Sequence, residues 1–241
     1  MWSDGGVTTS DEPGPPPTMT ELGSASQALR TPKAAALAGI AFAVLLITAL
    51  VIIRVAVTPD ARRPGPWLDD DSSRGAVVFA LNLVPFAGIA FLWFIGAVRD
   101  HVGTAEDRFF ATVFLGSGLL FIAMLFAGAA MAAGLTTRYD PATASADANA
   151  WQISRQTMNT VITVYAMRMA AVFVISTTSI MSRLRLIPRW LTMYGFASAG
   201  VLLATVGTFA WVELLFPFWV LVLSVHLLRT RFRVEPLPAT T

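Results

Sequence analysis

The sequence predicts an all-α polytopic membrane helix bundle of six transmembrane helices with both termini cytoplasmic. Three observations carry this. Of 241 residues, 55% are hydrophobic and only 13% charged, with mean hydropathy +0.64; soluble domains carry about 25% charged residues. Six apolar runs approach the roughly 20 residues that a bilayer requires. Lysines and arginines divide unevenly between the two sets of connections, ten against five. The basic excess marks the cytoplasmic side.

Residues 1–32 contain "DEPGPPPTMT" and many Ser, Thr and Gly. Such a segment cannot bury a core and is predicted to be a disordered cytoplasmic tail. The first apolar run begins at Ala34, far later than a signal peptide's would, so it is expected to be an uncleaved span. The transmembrane domain covers 33–229, and 230–241 forms a short basic tail.

The predicted spans are Ala34 to Val57, Ala76 to Val98, Phe109 to Leu135, Met158 to Met181, Trp190 to Thr208 and Trp211 to Leu228. The third is the longest and is expected to tilt or project. The last two must be joined by a tight turn near Phe209 to Glu213; the alternative is five spans plus a re-entrant segment. Thr104 and Asp107 resemble a capping box ahead of the third span. Pro188 suits the first turn of the fifth, where a missing N–H costs nothing. Trp67, Trp151, Trp190 and Trp211 fall near span ends, where indoles favour the interface. Gly116, Gly128, Ala132, and Gly195 with Ala199, read as sites of close helix packing.

Four stretches carry a resemblance: "EDRFFATVFLGSGLLF" (106–121), "YAMRMAAVFVIST" (165–177), "RLIPRW" (185–190) and "FPFWVLVLSVHLL" (216–228). Through them the chain resembles a family of uncharacterised multi-pass bacterial integral membrane proteins. "RLIPRW" is also similar to a broader set of membrane domains of unknown function. The resemblance implies topology and a bacterial plasma (inner) membrane, and no catalytic residue is carried over by it.

Polar groups inside the spans are the leads to function. Arg168 interrupts "TVYAMRMAAVFVI", and an unpaired arginine at mid-helix costs roughly 2.5–3.5 kcal/mol on insertion scales. At about 1.5 Å per residue, Arg168 lies about 20 Å from Met181, Glu213 about 22 Å from Leu228 and Asn82 about 24 Å from Val98. Tyr165 stands one α-helical turn from Arg168, and Arg54 is near the outer end of the first span. Pro85 and Pro217 each free a backbone carbonyl, those of Leu81 and Glu213. Arg168, Glu213, Asn82 and Tyr165 are therefore expected to form a polar layer in the outer half of the membrane. The layer either ties helices together through an Arg168–Glu213 pair or encloses a cavity that binds a polar or anionic ligand; a third use is snorkelling of Arg168 to the outer surface. The hydroxyl run "STTS" (176–179) is expected to bond back to its own helix.

Signatures of chemistry are scarce. With no cysteine, thiolate nucleophiles, disulfides and thiolate metal sites are excluded. HExxH, GxSxG, Walker and dinucleotide motifs are absent from the sequence. His101 and His226 fall at the cytoplasmic edge and are expected to be solvated. "WLDDD" (67–71) lacks the alternation and glycine of a calcium loop and reads as a solvated acidic loop. No metal, cofactor or nucleic acid is expected. Arg183, Arg185, Arg189 and the "RTRFR" tail can attract anionic lipid headgroups, each worth about 1 kcal/mol near the surface. The residues favour a non-enzymatic interaction or accessory protein, with a second copy or another membrane protein as partner. The alternative is a small transporter or exporter of a polar or anionic compound; an enzyme acting on lipid ranks third.

Overall fold

A computed structural model of the chain describes residues 32–57, 66–102, 108–137, 148–204 and 211–231. The two tails, and the capping box of Thr104 and Asp107, lie outside these residues. Every long element described is a helix: α1 (Pro32–Ala56), α2 (Asp71–Val102), α3 (Arg108–Thr137), α4 (Ala148–Thr160), α5 (Met167–Arg183), α6 (Arg189–Ala204) and α7 (Leu215–Arg231). Five stretches are long and apolar enough to cross a membrane: Ala34–Ala56, Asp71–Arg99, Thr112–Thr136, Trp151–Arg183 and Val212–Arg229. The protein is therefore built as a membrane-integral helix bundle. The remaining helix, α6, has 16 described residues, or about 24 Å of rise, against a hydrocarbon core of about 30 Å.

Local chemistry sets several boundaries. α2 starts five residues before the apolar run suggested, because Asp70 caps it. Its carboxylate accepts from the Ser73 hydroxyl at 2.7 Å, the Ser73 amide at 3.0 Å and, more weakly, the Ser72 amide at 3.4 Å. Part of the expected acidic loop is thus a helix cap. Arg74 folds back over this first turn, donating to the Leu68 carbonyl at 3.1 Å and pairing with Asp71. The α5–α6 corner closes with both backbone bonds of a Schellman motif: Leu186 N–H to Met181 O at 2.9 Å and Arg185 N–H to Ser182 O at 3.1 Å. Pro188 stands just before α6, its carbonyl accepting from Leu191 and Thr192. Pro217 falls in the first turn of α7, where a missing N–H leaves nothing unpaired.

α4 and α5 form one continuous helical rod. Between them, Val161–Ala166 winds as a π-helix, with the Met167 N–H reaching Ile162 O. The sequence supplies a reason. Residues 160–164 (Thr160, Val161, Ile162, Thr163, Val164) are all β-branched and crowd the preceding turn of an α-helix. Thr160 and Thr163 also bond back to the carbonyls of Gln156 and Asn159, at 2.9 and 2.7 Å. These hydroxyls compete with the backbone for the i−4 acceptors.

The core is aromatic. Phe42 of α1, Phe91 and Phe94 of α2, Phe114 and Phe121 of α3, Phe173 of α5 and Phe216 of α7 are all buried. Phe91 sits at the hub, with ring centroids of Phe42, Phe173, Phe121, Phe216 and Phe94 at 4.5, 5.1, 5.5, 5.6 and 6.0 Å. Lipid tails are as apolar as these side chains, so close packing and ring geometry, rather than exclusion of water, hold the bundle together.

Two contacts fix the relative direction of the first and last helices. At one end Arg54 of α1 meets Glu213, just before α7; at the other, Gly39 of α1 lies against Ser224 of α7. α1 and α7 are therefore antiparallel, and Pro32 and Arg231 lie toward the same end of the bundle.

Candidate functional site

At the Arg54 end, the acid predicted to matter does hold an arginine, but a different one. Glu213 Oε2 lies 3.5 Å from Arg54 Nη2, with side-chain exposures of 18% and 38%. The pair ties α1 to the 3₁₀ turn (Val212–Leu214) that leads into α7. The expected Arg168–Glu213 pair is not among the ion pairs of the described residues. The reason is topological: α7 packs mainly along α1, and α5 meets it further along, at Phe173 and Thr178, away from Glu213. Part of the signal for Arg54 was present in its depth, since an arginine ending the first helix and an acid opening an antiparallel last helix fall at the same level; that the two helices are neighbours is what the packing adds.

Arg168 is half-buried, and its Nη1 donates to the Val164 carbonyl of its own helix at 3.3 Å. This carbonyl belongs to the π segment, so the guanidinium solvates backbone in the stretch where the α-helical ladder is interrupted. Tyr165 is 56% exposed. The expectation that it shares a face with Arg168 rested on α-helical periodicity, which does not hold through 161–166. Asn82 is exposed, its Nδ2 donating to Val78 O at 2.9 Å one turn back. Of the four polar-layer residues, Arg168 and Asn82 thus bond within their own helices, and Glu213 bonds to a residue outside the set.

The hydroxyl run behaves as expected at two positions and differs at a third. Ser176 and Thr177 bond back to Val172 O and Phe173 O, at 2.8 and 2.7 Å. Thr178, fully buried, makes no such bond and points across to α6. There it lies beside Gly195, with Trp219 Nε1 of α7 on the same spot. Any side chain at 195 would collide with Thr178 Oγ1 and stand 3.1 Å from Trp219 Nε1. Of the other small residues, Gly128 faces Ile162 of the π segment, while Gly116 borders open space.

The Arg183 end carries a cluster of three arginines in short succession. Arg183, Arg185 and Arg189 are exposed around the corner between α5 and α6. His226 of α7 packs edge-on against Trp190 of α6, ring centroids 6.4 Å apart. His101 lies among residues whose side chains are not described. Among the described residues no three histidine or acidic side chains come together as metal ligands do.

Chemically, these groups can neutralise one another, solvate interrupted backbone and meet anions at a surface. No protein-family model matches the chain, and neither a curated protein nor a solved structure matches it.

Proposed function

We propose that this chain is a non-enzymatic integral membrane protein that works by interaction, as an accessory subunit or assembly partner, and not as a conduit. The observation that carries this is the phenylalanine knot. Rings from α1, α2, α3, α5 and α7 fill the middle of the bundle at centroid separations of 4.5–6.4 Å. A polar solute needs polar groups along its path, whereas the knot presents ring faces and edges, and the buried Ser117 hydroxyl beside it is bonded to its own helix. Of the polar groups named from sequence, Glu213, Arg168 and Asn82 are accounted for locally, by Arg54, Val164 and Val78, and Tyr165 is exposed on the outside of its helix.

In this reading α6 completes a sixth crossing, both termini face the cytoplasm, and the membrane is a bacterial plasma membrane. The antiparallel first and last helices support an even number of crossings, and the arginines at the Arg183 end support its cytoplasmic placement. The partners are anionic headgroups at that end and a second copy or another membrane protein.

The absence of cysteine makes the test direct. Ala87→Cys and Ala171→Cys introduce thiols at fully buried core positions, and Thr157→Cys one at an exposed position on α4. In sealed vesicles, a membrane-impermeant maleimide should label Thr157→Cys from the external side only and leave the two core thiols unlabelled. Core labelling at the rate of the exposed control would mean a water-filled passage. The transporter reading would then replace this one, with Arg168 as its first candidate ligand contact.

A further inference from the structure

Arg185 is the one described residue other than glycine with positive φ, at 54°. It occupies the position just past the C-cap of α5, where a helix closed by a Schellman motif usually places glycine. Both bonds of that motif come from backbone, so glycine would close the corner equally well without a Cβ in the left-handed region. The side chain at 185 is therefore kept against a conformational preference. Complementing the dipole of α5 and directing topology do not explain it, since Arg183 in the last turn of α5 already complements the dipole and Arg183 and Arg189 both add basic charge at this end, from helical backbone.

The corner's pattern shows where the side chain goes. Leu184, Leu186 and Ile187 pack against the core, while Arg183, Arg185 and Arg189 are exposed. Three exposed arginines thus lie on or beside one tight turn whose apolar residues anchor it. Trp190, in the first turn of the next helix, is 56% exposed, and an exposed indole favours the headgroup level. Guanidinium forks match phosphate oxygens bidentately.

We propose that the α5–α6 corner is a binding site for the phosphate of an anionic phospholipid headgroup, with Arg185 as its central contact and Arg183 and Arg189 flanking it. The proposal rests on the reading that the arginine-rich end meets a headgroup layer; it does not depend on the closed centre.

Two variants separate charge from strain. Arg185→Gly removes both, whereas Arg185→Gln removes the charge and keeps a side chain in the left-handed region. Thermal unfolding is followed in a non-ionic detergent alone, with added phosphatidylglycerol, with added phosphatidylcholine, and with inorganic phosphate. Without lipid, Arg185→Gly should melt roughly 2–4 °C above wild type and Arg185→Gln should not. Phosphatidylglycerol should raise the wild-type midpoint, as a ligand of the folded state does, with phosphatidylcholine and inorganic phosphate having little effect. Both variants should lose most of that gain. If wild type gains and both variants gain equally, the end meets anionic lipid elsewhere and Arg185 is not the contact. A wild type indifferent to phosphatidylglycerol removes the headgroup reading as well. An equal gain from inorganic phosphate overturns the assignment to lipid.

Discussion

Gly195 of α6 and Thr178 of α5 approach so closely that the threonine hydroxyl fills the space a side chain at 195 would need. The indole of Trp219 closes the same spot from α7. Three helices thus meet at one α-carbon. Gly195→Ala should destabilise the protein by about 1–3 kcal/mol, as overpacking does. Thr178→Ala removes both the hydroxyl and the methyl in the way, so Gly195→Ala/Thr178→Ala should recover part of the loss. Thermal unfolding in detergent reads both. An alanine at 195 without cost would mean that the three helices are not packed at this distance.

The Arg54–Glu213 pair makes a second prediction. Arg54→Ala leaves a largely buried carboxylate without its partner. The cost should be about 1–3 kcal/mol, between that of a surface pair and a fully buried one. Glu213→Ala in the Arg54→Ala background should restore much of it, since the double change leaves no charge stranded. Arg168→Ala in that background should act additively, because Arg168 bonds to Val164 instead. Strong coupling between Arg168 and Glu213 would restore the pairing expected from sequence.

Phe91 touches five other rings. Phe91→Ala should cost about 3–5 kcal/mol, and Phe91→Leu distinctly less. Phe218 and Phe86, both exposed on the bundle surface, should tolerate leucine with little change. The comparison is made on unfolding midpoints in one detergent, so that the solvent term cancels.

Acid should loosen the start of α2. The Ser73 hydroxyl, then the amides of Ser73 and Ser72, hold the Asp70 carboxyl below the usual aspartate range. A carboxyl depressed by folding contributes stability that is fully present above its ordinary pKa. That contribution is lost as pH falls through the folded value. Amide exchange in the first turn of α2, measured between pH 6 and pH 3, should accelerate at the acid end beyond the intrinsic rate change. Asp70→Asn should show no such acid-dependent loss. Equal behaviour of the two would mean that the cap does not form.

Much of the fold was legible because a bilayer imposes a length. The first three spans lie within a few residues of the helices found, and only α2's start shifts appreciably, through the Asp70 carboxylate capping the Ser73 hydroxyl and the amides of Ser72 and Ser73. The fourth span was read as a simple helix from Met158. Instead it belongs to a rod beginning at Ala148 and widened at Val161–Ala166. A hydropathy run shows where lipid is, not how the backbone winds. The depth of Glu213 was legible and its partner was not, since depth leaves open which helices are neighbours. The aromatic knot was invisible for a similar reason. Seven phenylalanines scattered through five apolar runs look like any lipid-facing phenylalanine until packing separates the buried from the exposed.

Arg54 and Glu213 are separated by 159 positions, which has a consequence for biosynthesis. Arg54 leaves the ribosome near the end of the first hydrophobic segment, long before its counter-ion exists. At about 5–20 residues per second, α1 waits several seconds or more for the Glu213 carboxylate, while the intervening segments enter the bilayer. The last segment then brings the acid, and the final insertion event can dock onto the first. An assembly that closes in this order fastens its first helix only when its last segment arrives: a chain truncated before residue 213 would lack the carboxylate that holds α1 to the start of α7.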